Sequence, residues 1–63
     1  MKYEKYAEIR DRHGFNDSRV AKETGIATAT LSEWKAKKYE PKIDKLIKIA
    51  DLFGEPIEKF IRE

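Results

Sequence analysis

Glycine and proline divide this chain into five short stretches, and their spacing constrains the fold more than any other feature. The dividing residues are Gly14, Gly25, Pro41, Gly54 and Pro56. Glycine is the residue that most often follows a helix C-terminus, and proline suits the first turn of the next helix. No stretch alternates apolar and polar residues with the period of a strand. The sequence therefore predicts a compact, all-α domain of five helices.

Apolar residues recur at helical spacing in each stretch. The strongest pattern spans residues 42–53, where one face carries Ile43, Leu46, Ile47, Ala50 and Phe53, and Ile49 and Leu52 widen this apolar stripe. A stripe of this kind is expected to face the core. Helices are also predicted over residues 3–13, 17–24 and 28–36 (or to 38), and from residue 56 onwards.

Size and composition exclude several classes of protein. With 63 residues the chain is expected to be one domain, spanning 1–63. It has no Cys and a single histidine, His13, so we expect no disulfide, metal site or cofactor. The Ser and Thr hydroxyls have no plausible His partner, which argues against an enzyme with a small-molecule substrate. No apolar run approaches the roughly 20 residues of a membrane span, and the charged N-terminus lacks a signal pattern, so a cytoplasmic protein is expected.

Positive charge is concentrated in the first two thirds of the chain. Residues 1–42 carry ten basic and seven acidic side chains, whereas residues 43–63 carry four and five. This asymmetry makes the first part the better candidate to meet a polyanion. From charge alone, however, a solvated surface with a chance imbalance remains the better interpretation.

Residues 17–37 have the pattern of two helices joined by a tight turn. Ala21 is small enough for a second helix to cross over it, and Gly25 can adopt the positive φ that such a turn needs. Ile26, Leu31 and Trp34 would then attach the second helix to the core.

This arrangement leaves the opposite side of the second helix exposed. That side carries Ala29, Ser32, Glu33 and Ala36, which are small or polar. A slim polar helix face can enter a DNA major groove about 12 Å wide. Positive charge follows this helix at Lys35, Lys37, Lys38 and Lys42.

The order and spacing of these residues resemble the phage repressor/Cro family of helix-turn-helix DNA-binding proteins, also called the xenobiotic-response-element type. The resemblance extends from Tyr6 to Ile61, and it is carried by Val20-Ala21, Gly25-Ile26, Thr30-Leu31-Ser32, Trp34, Pro41, Leu46, Ile49-Ala50, Phe53-Gly54 and Phe60. It implies a five-helix domain that binds double-stranded DNA sequence-specifically as a transcriptional regulator, in the role of a repressor. Helix 28–36 would be the recognition helix.

The resemblance also implies roles for individual residues. Base edges would be read by Thr28, Ala29, Ser32 and Glu33. Hydroxyls can donate or accept, the Ala29 methyl can pack on a thymine methyl, and Glu33 can accept from cytosine N4 or merely repel wrong sites. The residues expected near phosphates are Asn16, Asp17, Ser18, Thr30, Lys35, Lys37, Lys38, Tyr39 and Lys42.

The sequence departs from the family pattern at four positions. Asp17 stands where Gln is frequent, and an anion there opposes a nearby phosphate unless it caps the helix. Lys35 replaces a carboxylate that in many members pairs with an arginine, which leaves Arg10 without that partner. Lys37 replaces a terminal glycine, so either the helix continues or Lys37 becomes left-handed at a cost of about 1 kcal/mol. Glu55 replaces an apolar residue, which weakens the case for a dimer contact nearby.

A DNA-binding domain of this size would bind weakly as a monomer, so a homodimer is a candidate partner arrangement. The possible interface residues are Leu52, Ile57, Phe60 and Ile61. The alternative is that all four belong to the core. A dimer would read two half-sites about 34 Å apart.

A second function stays open, because a fold does not settle a function. The same fold can serve as a protein-interaction module, such as an antirepressor or an antitoxin-like partner, and the residues at Asp17, Glu33 and Lys35 favour that alternative. Salt dependence of DNA binding discriminates between the two functions.

Overall fold

The computed structural model describes residues 2–61 and contains five helices in this range. They are α1 (Tyr3–Arg12), α2 (Asp17–Thr24), α3 (Thr28–Lys35), α4 (Ile43–Phe53) and α5 (Glu58–Ile61). No strand occurs in the described residues, which confirms the all-α prediction. None of these helices combines the length and the hydropathy that crossing a bilayer requires.

All five helices pack around one hydrophobic core. Each of them contributes one completely buried side chain, and these five are Tyr6, Val20, Leu31, Ile49 and Phe60. The turn between α2 and α3 adds Ile26, which is 4% exposed. Because short helices are marginal on their own, this shared burial stabilises each of them.

Trp34 attaches α3 to α1. Its indole is 3% exposed and stacks on the Tyr6 ring, with centroids 5.0 Å apart. The Tyr3 ring meets the indole edge-on at 5.7 Å. Such aromatic pairs contribute about 0.5–1.5 kcal/mol each beyond the burial of their surface.

The inward stripe predicted for α4 is wrong at two positions. Leu46, Ala50 and Phe53 are buried as predicted, but Ile43 is 55% and Ile47 43% exposed. The buried face of α4 is formed by Leu46, Ile49, Ala50 and Phe53, and its main contacts are with α2 and α5. Ile43 and Ile47 therefore lie at the edge of the stripe, beyond the reach of these neighbours.

The fifth helix begins later than the sequence suggests. Pro56 and Ile57 form a turn whose carbonyl oxygens accept hydrogen bonds from the backbone N–H groups of Lys59 and Phe60. The helix itself is limited to Glu58–Ile61. Proline thus starts the bend that leads into the helix.

We expect Trp34→Ala to reduce the free energy of unfolding by roughly 3–5 kcal/mol, because it removes a buried aromatic ring and leaves a cavity. A domain of this size has only roughly 3–9 kcal/mol in total, so much of the variant should be unfolded at 25 °C. Urea denaturation followed by circular dichroism measures the change. Trp34→Phe keeps a ring on Tyr6 and should lose less. Equal stability of wild type and Trp34→Ala would contradict the anchoring role of Trp34.

Candidate nucleic-acid interface

A tight turn sets the position of α3 relative to α2. The N-terminus of α2 is capped by Asn16, whose side-chain oxygen accepts the backbone N–H of Arg19 at 2.8 Å. At the other end Gly25 is left-handed, with φ of 77°, and its N–H donates to the carbonyl of Ala21 at 2.9 Å. Only Gly25, Ile26 and Ala27 separate the two helices, as the sequence predicts for a helix-turn-helix.

The outer face of α3 is exposed, as the helical spacing predicts. Leu31 and Trp34 are buried on the inner side. The four residues expected to read bases, Thr28, Ala29, Ser32 and Glu33, are all exposed, and Thr30 is half-buried. Because Thr28, Ala29 and Ser32 have short side chains, the exposed face of α3 is narrow there.

The N-terminus of α3 is the most favourable of the five for an anion. Each of the other four helices has an acidic residue in its first turn, whereas α3 has none. The N-cap is Ala27, which offers no side-chain hydrogen bond. The positive end of the helix dipole therefore has no competing carboxylate in its own first turn. Sequence reasoning missed this feature, although the absence of Asp and Glu from residues 28–30 shows it.

The N-terminus of α2 is tied to α1 through Asp17. The Tyr3 hydroxyl donates to Oδ2 of Asp17 at 2.6 Å, and the Tyr6 hydroxyl donates to Oδ1 at 2.7 Å. The Arg10 guanidinium donates to the same Oδ1 at 2.8 Å. Asp17 is therefore the carboxylate partner of Arg10, in place of the one that Lys35 removes. The carboxylate of Asp17 is occupied by three donors of its own chain rather than free beside a phosphate.

The electrostatics of this cluster suit a surface near phosphates. Burial alone would raise the pKa of Asp17, but hydrogen bonds from Tyr3, Tyr6 and Arg10 outweigh it and lower the pKa. Burial, followed by the hydrogen bond to Asp17, raises the pKa of Tyr6. At neutral pH the carboxylate and the guanidinium are both charged while the two hydroxyls are neutral. The negative charge of Asp17 is therefore compensated within 3 Å by Arg10.

The flank after α3 is basic and contains an unusual backbone conformation. The helix ends at Lys35, and Lys37 has φ of 63°, so the left-handed alternative is confirmed. The backbone N–H of Lys38 donates to the carbonyl of Glu33 at 2.9 Å, which closes the turn. The remaining residues of this flank are exposed Lys42 and half-buried Tyr39.

The residues predicted for a dimer interface differ in accessibility. Phe60 is completely buried in the core, so its side chain is not available to a second copy. Leu52 and Ile57 are partly buried against the core, and Ile61 is 48% exposed. Glu55 accepts hydrogen bonds from Lys59 at 3.0 Å and shares one with His13 at 3.3 Å. A dimer contact near α5 would therefore pair the apolar Ile61 with polar neighbours such as Glu55 and Lys59.

Comparison with known proteins gives a match to a protein family. The model of a family described as helix-turn-helix, of the Cro/C1 type, matches residues 7–60. No curated protein sequence and no solved structure shows significant similarity to the chain. The match includes α2, α3 and the turn between them.

We expect the Asp17 cluster to make the domain sensitive to acid. Because folding lowers the pKa of Asp17, its contribution is present above the ordinary Asp pKa near 4 and is lost as pH falls through the lower folded value. Asp17→Asn should reduce the free energy of unfolding at pH 7 by about 1–2 kcal/mol, since hydrogen bonds to a charged group are lost but water screens part of the effect.

The measurement is a set of urea denaturations between pH 7 and pH 2. The dependence of stability on pH below 4 should be weaker in Asp17→Asn than in wild type. The control is Asp51→Asn, which removes a carboxylate from the exposed side of α4. Identical pH profiles for wild type and Asp17→Asn would rule out the assigned role of Asp17.

Proposed function

The chain belongs to the Cro/C1-type helix-turn-helix family of DNA-binding transcription regulators, and on this basis we propose that it binds double-stranded DNA sequence-specifically with α3 in the major groove. The regulatory role that we propose is repression, which rests on the resemblance to phage repressors. A protein with this function works where the DNA is, which in a bacterial or phage-infected cell is the cytosol.

The observation that carries the proposal is that one side of α3 is buried in the core while the opposite side is exposed. Leu31 and Trp34 attach the inner side to the core, and the outer side carries exposed side chains that are small or polar. A helix held in this way fits a groove about 12 Å wide without rearrangement of the core. In this docking mode the N-terminal half of α3 meets the base edges.

We assign base reading to the exposed residues of that half. The hydroxyls of Thr28 and Ser32 can donate to or accept from several bases, and the methyl of Ala29 can pack on a thymine methyl. Glu33 can only accept, so it selects cytosine N4 or disfavours sites without a donor.

Phosphate contacts would come from both ends of the motif. Exposed Asn16 and Ser18 lie at the start of α2, and half-buried Thr30 lies beside the base-reading residues. The uncapped N-terminus of α3 adds backbone N–H groups without an opposing carboxylate. On the other side the flank supplies Lys35, Lys37, Lys38, Tyr39 and Lys42. Asp17 would act indirectly, by holding the start of α2 in place.

We further propose that two copies bind adjacent half-sites about 34 Å apart. The exposed Ile61 would make the main contact between the two copies, and the accessible parts of Leu52 and Ile57 would add to it. Phe60 would support this surface from within the core.

Selection of bound duplexes from a random DNA pool tests the function and its symmetry together. A sequence-specific repressor should enrich one site, and a dimer should enrich an inverted repeat. Affinity for the enriched duplex should fall steeply as salt rises. No enrichment together with a flat salt dependence would contradict DNA binding and would favour a protein-interaction module instead.

We expect Ser32→Ala and Glu33→Ala to change which duplex is preferred while leaving stability nearly unchanged, because both side chains are exposed. The loss of a base contact should cost about 1–3 kcal/mol of discrimination at one base pair. The same random-pool selection, repeated with each variant, measures the change. Asp51→Ala, which removes a carboxylate from α4, should enrich the wild-type site. An unchanged site for Ser32→Ala and Glu33→Ala would remove both residues from the reading surface.

A further inference from the structure

An open cleft of about 460 Å³ lies between the segment that leads into α1 and the loop that follows α3. Its lining includes Lys2 from the first segment and Lys37 and Lys38 from the second. We call it the lysine cleft. Tyr3 and Trp34 also line it, and both are almost completely buried, so the cleft has a firm apolar floor.

The charge of the lysine cleft suits a singly charged anion. Lys2, Lys37 and Lys38 are exposed, and none of the three forms an ion pair within residues 2–61. Glu4 and Glu40 also line the cleft, so its lining within residues 2–61 carries one excess positive charge. A phosphodiester carries one negative charge, and lysine ammonium groups are suitable donors for its oxygens.

The backbone of Lys37 supplies a second, independent observation. Three helices of the described chain end in the same way. A residue with left-handed backbone follows the helix, and the N–H of the residue after it donates to a carbonyl in the last turn of that helix. In two of them the left-handed residue is glycine, at Gly14 and Gly54, whereas the third has Lys37 with φ of 63°. A side chain at this position is strained in a way that glycine avoids. Strain of this kind is frequently retained where the side chain has a function.

We propose that the lysine cleft binds a backbone phosphate of the DNA strand that passes the C-terminal end of α3, and that Lys37 is retained in its left-handed conformation to place an ammonium group there. The proposal rests on the proposed DNA binding and extends it. It brings Lys2 into the DNA-binding surface, although Lys2 lies outside residues 7–60, which match the family. Two segments distant in sequence would thus bind one phosphate.

The test compares variants that change the charge of the cleft in opposite directions. Lys2→Gln and Lys37→Gly should each weaken binding to the selected duplex about tenfold at low salt. Each should also reduce the slope of log affinity against log salt by about one. Glu4→Gln should strengthen binding, because it removes a carboxylate from the cleft. Lys37→Arg keeps the charge and should bind nearly as well as wild type.

Stability separates the backbone effect of Lys37 from its charge. Lys37→Gly should raise the melting temperature by about 4 °C, because it relieves the left-handed strain. A variant that is more stable and yet binds DNA less tightly is the result that a phosphate-binding role predicts and a purely structural role does not. Matched controls are Lys48→Gln and Asp51→Asn, which change the same charges on the exposed side of α4, and both should leave the affinity close to that of wild type.

Two results would overturn the proposal while leaving the proposed function intact. One is a Lys37→Gly protein that binds the selected duplex with wild-type affinity and salt slope. The other is a loss for Lys48→Gln as large as that for Lys2→Gln, since this would show a general effect of net charge. A wild-type protein without steep salt dependence would instead refute the DNA binding on which the proposal rests.

Discussion

The stack of Trp34 on Tyr6 decides which side of α3 faces the solvent. With the ring centroids 5.0 Å apart and the indole 3% exposed, α3 cannot rotate without removing a large aromatic surface from the core. Leu31, one turn earlier and completely buried, prevents the same rotation at the start of the helix. Every assignment on the outer face follows from these two contacts, because the positions opposite them are the ones left exposed.

Helix α1 connects both helices of the helix-turn-helix. The Tyr6 ring packs on Trp34 of α3, while its hydroxyl donates to Asp17 at the start of α2. Tyr3 makes the same pair of contacts, edge-on to the indole and through its hydroxyl to Asp17. The angle between α2 and α3 is therefore supported by the turn at Gly25 and, independently, by two tyrosines of α1. A substitution in α1 is therefore expected to shift the proposed DNA-binding face of α3, although no α1 residue belongs to that face.

Local patterns predicted most of the fold because their physical causes are local. The glycine turns, the five helices and the inward positions of Leu31 and Trp34 depend only on backbone chemistry and helical period. The partner of Arg10 was missed because Asp17 approaches it only after α1 and α2 have packed together. The exposure of Ile43 and Ile47 was missed because periodicity shows which face of a helix is apolar, but it does not show how much of that face the neighbouring helices cover. For the end of α3 the sequence allowed either a longer helix or a left-handed Lys37, and the structure has the left-handed Lys37. The roles of individual side chains towards DNA stay predictions, since they depend on a partner.

The most direct test of the account is to follow the backbone amide signals of the protein by NMR while a selected DNA duplex is added. Insertion of α3 into the major groove predicts that the largest changes fall on Thr28, Ala29, Ser32 and Glu33. The amides around Ile47 in α4 should change little. Large changes on α4 together with unchanged signals from α3 would contradict the account, because DNA would then contact a surface other than the outer face of α3.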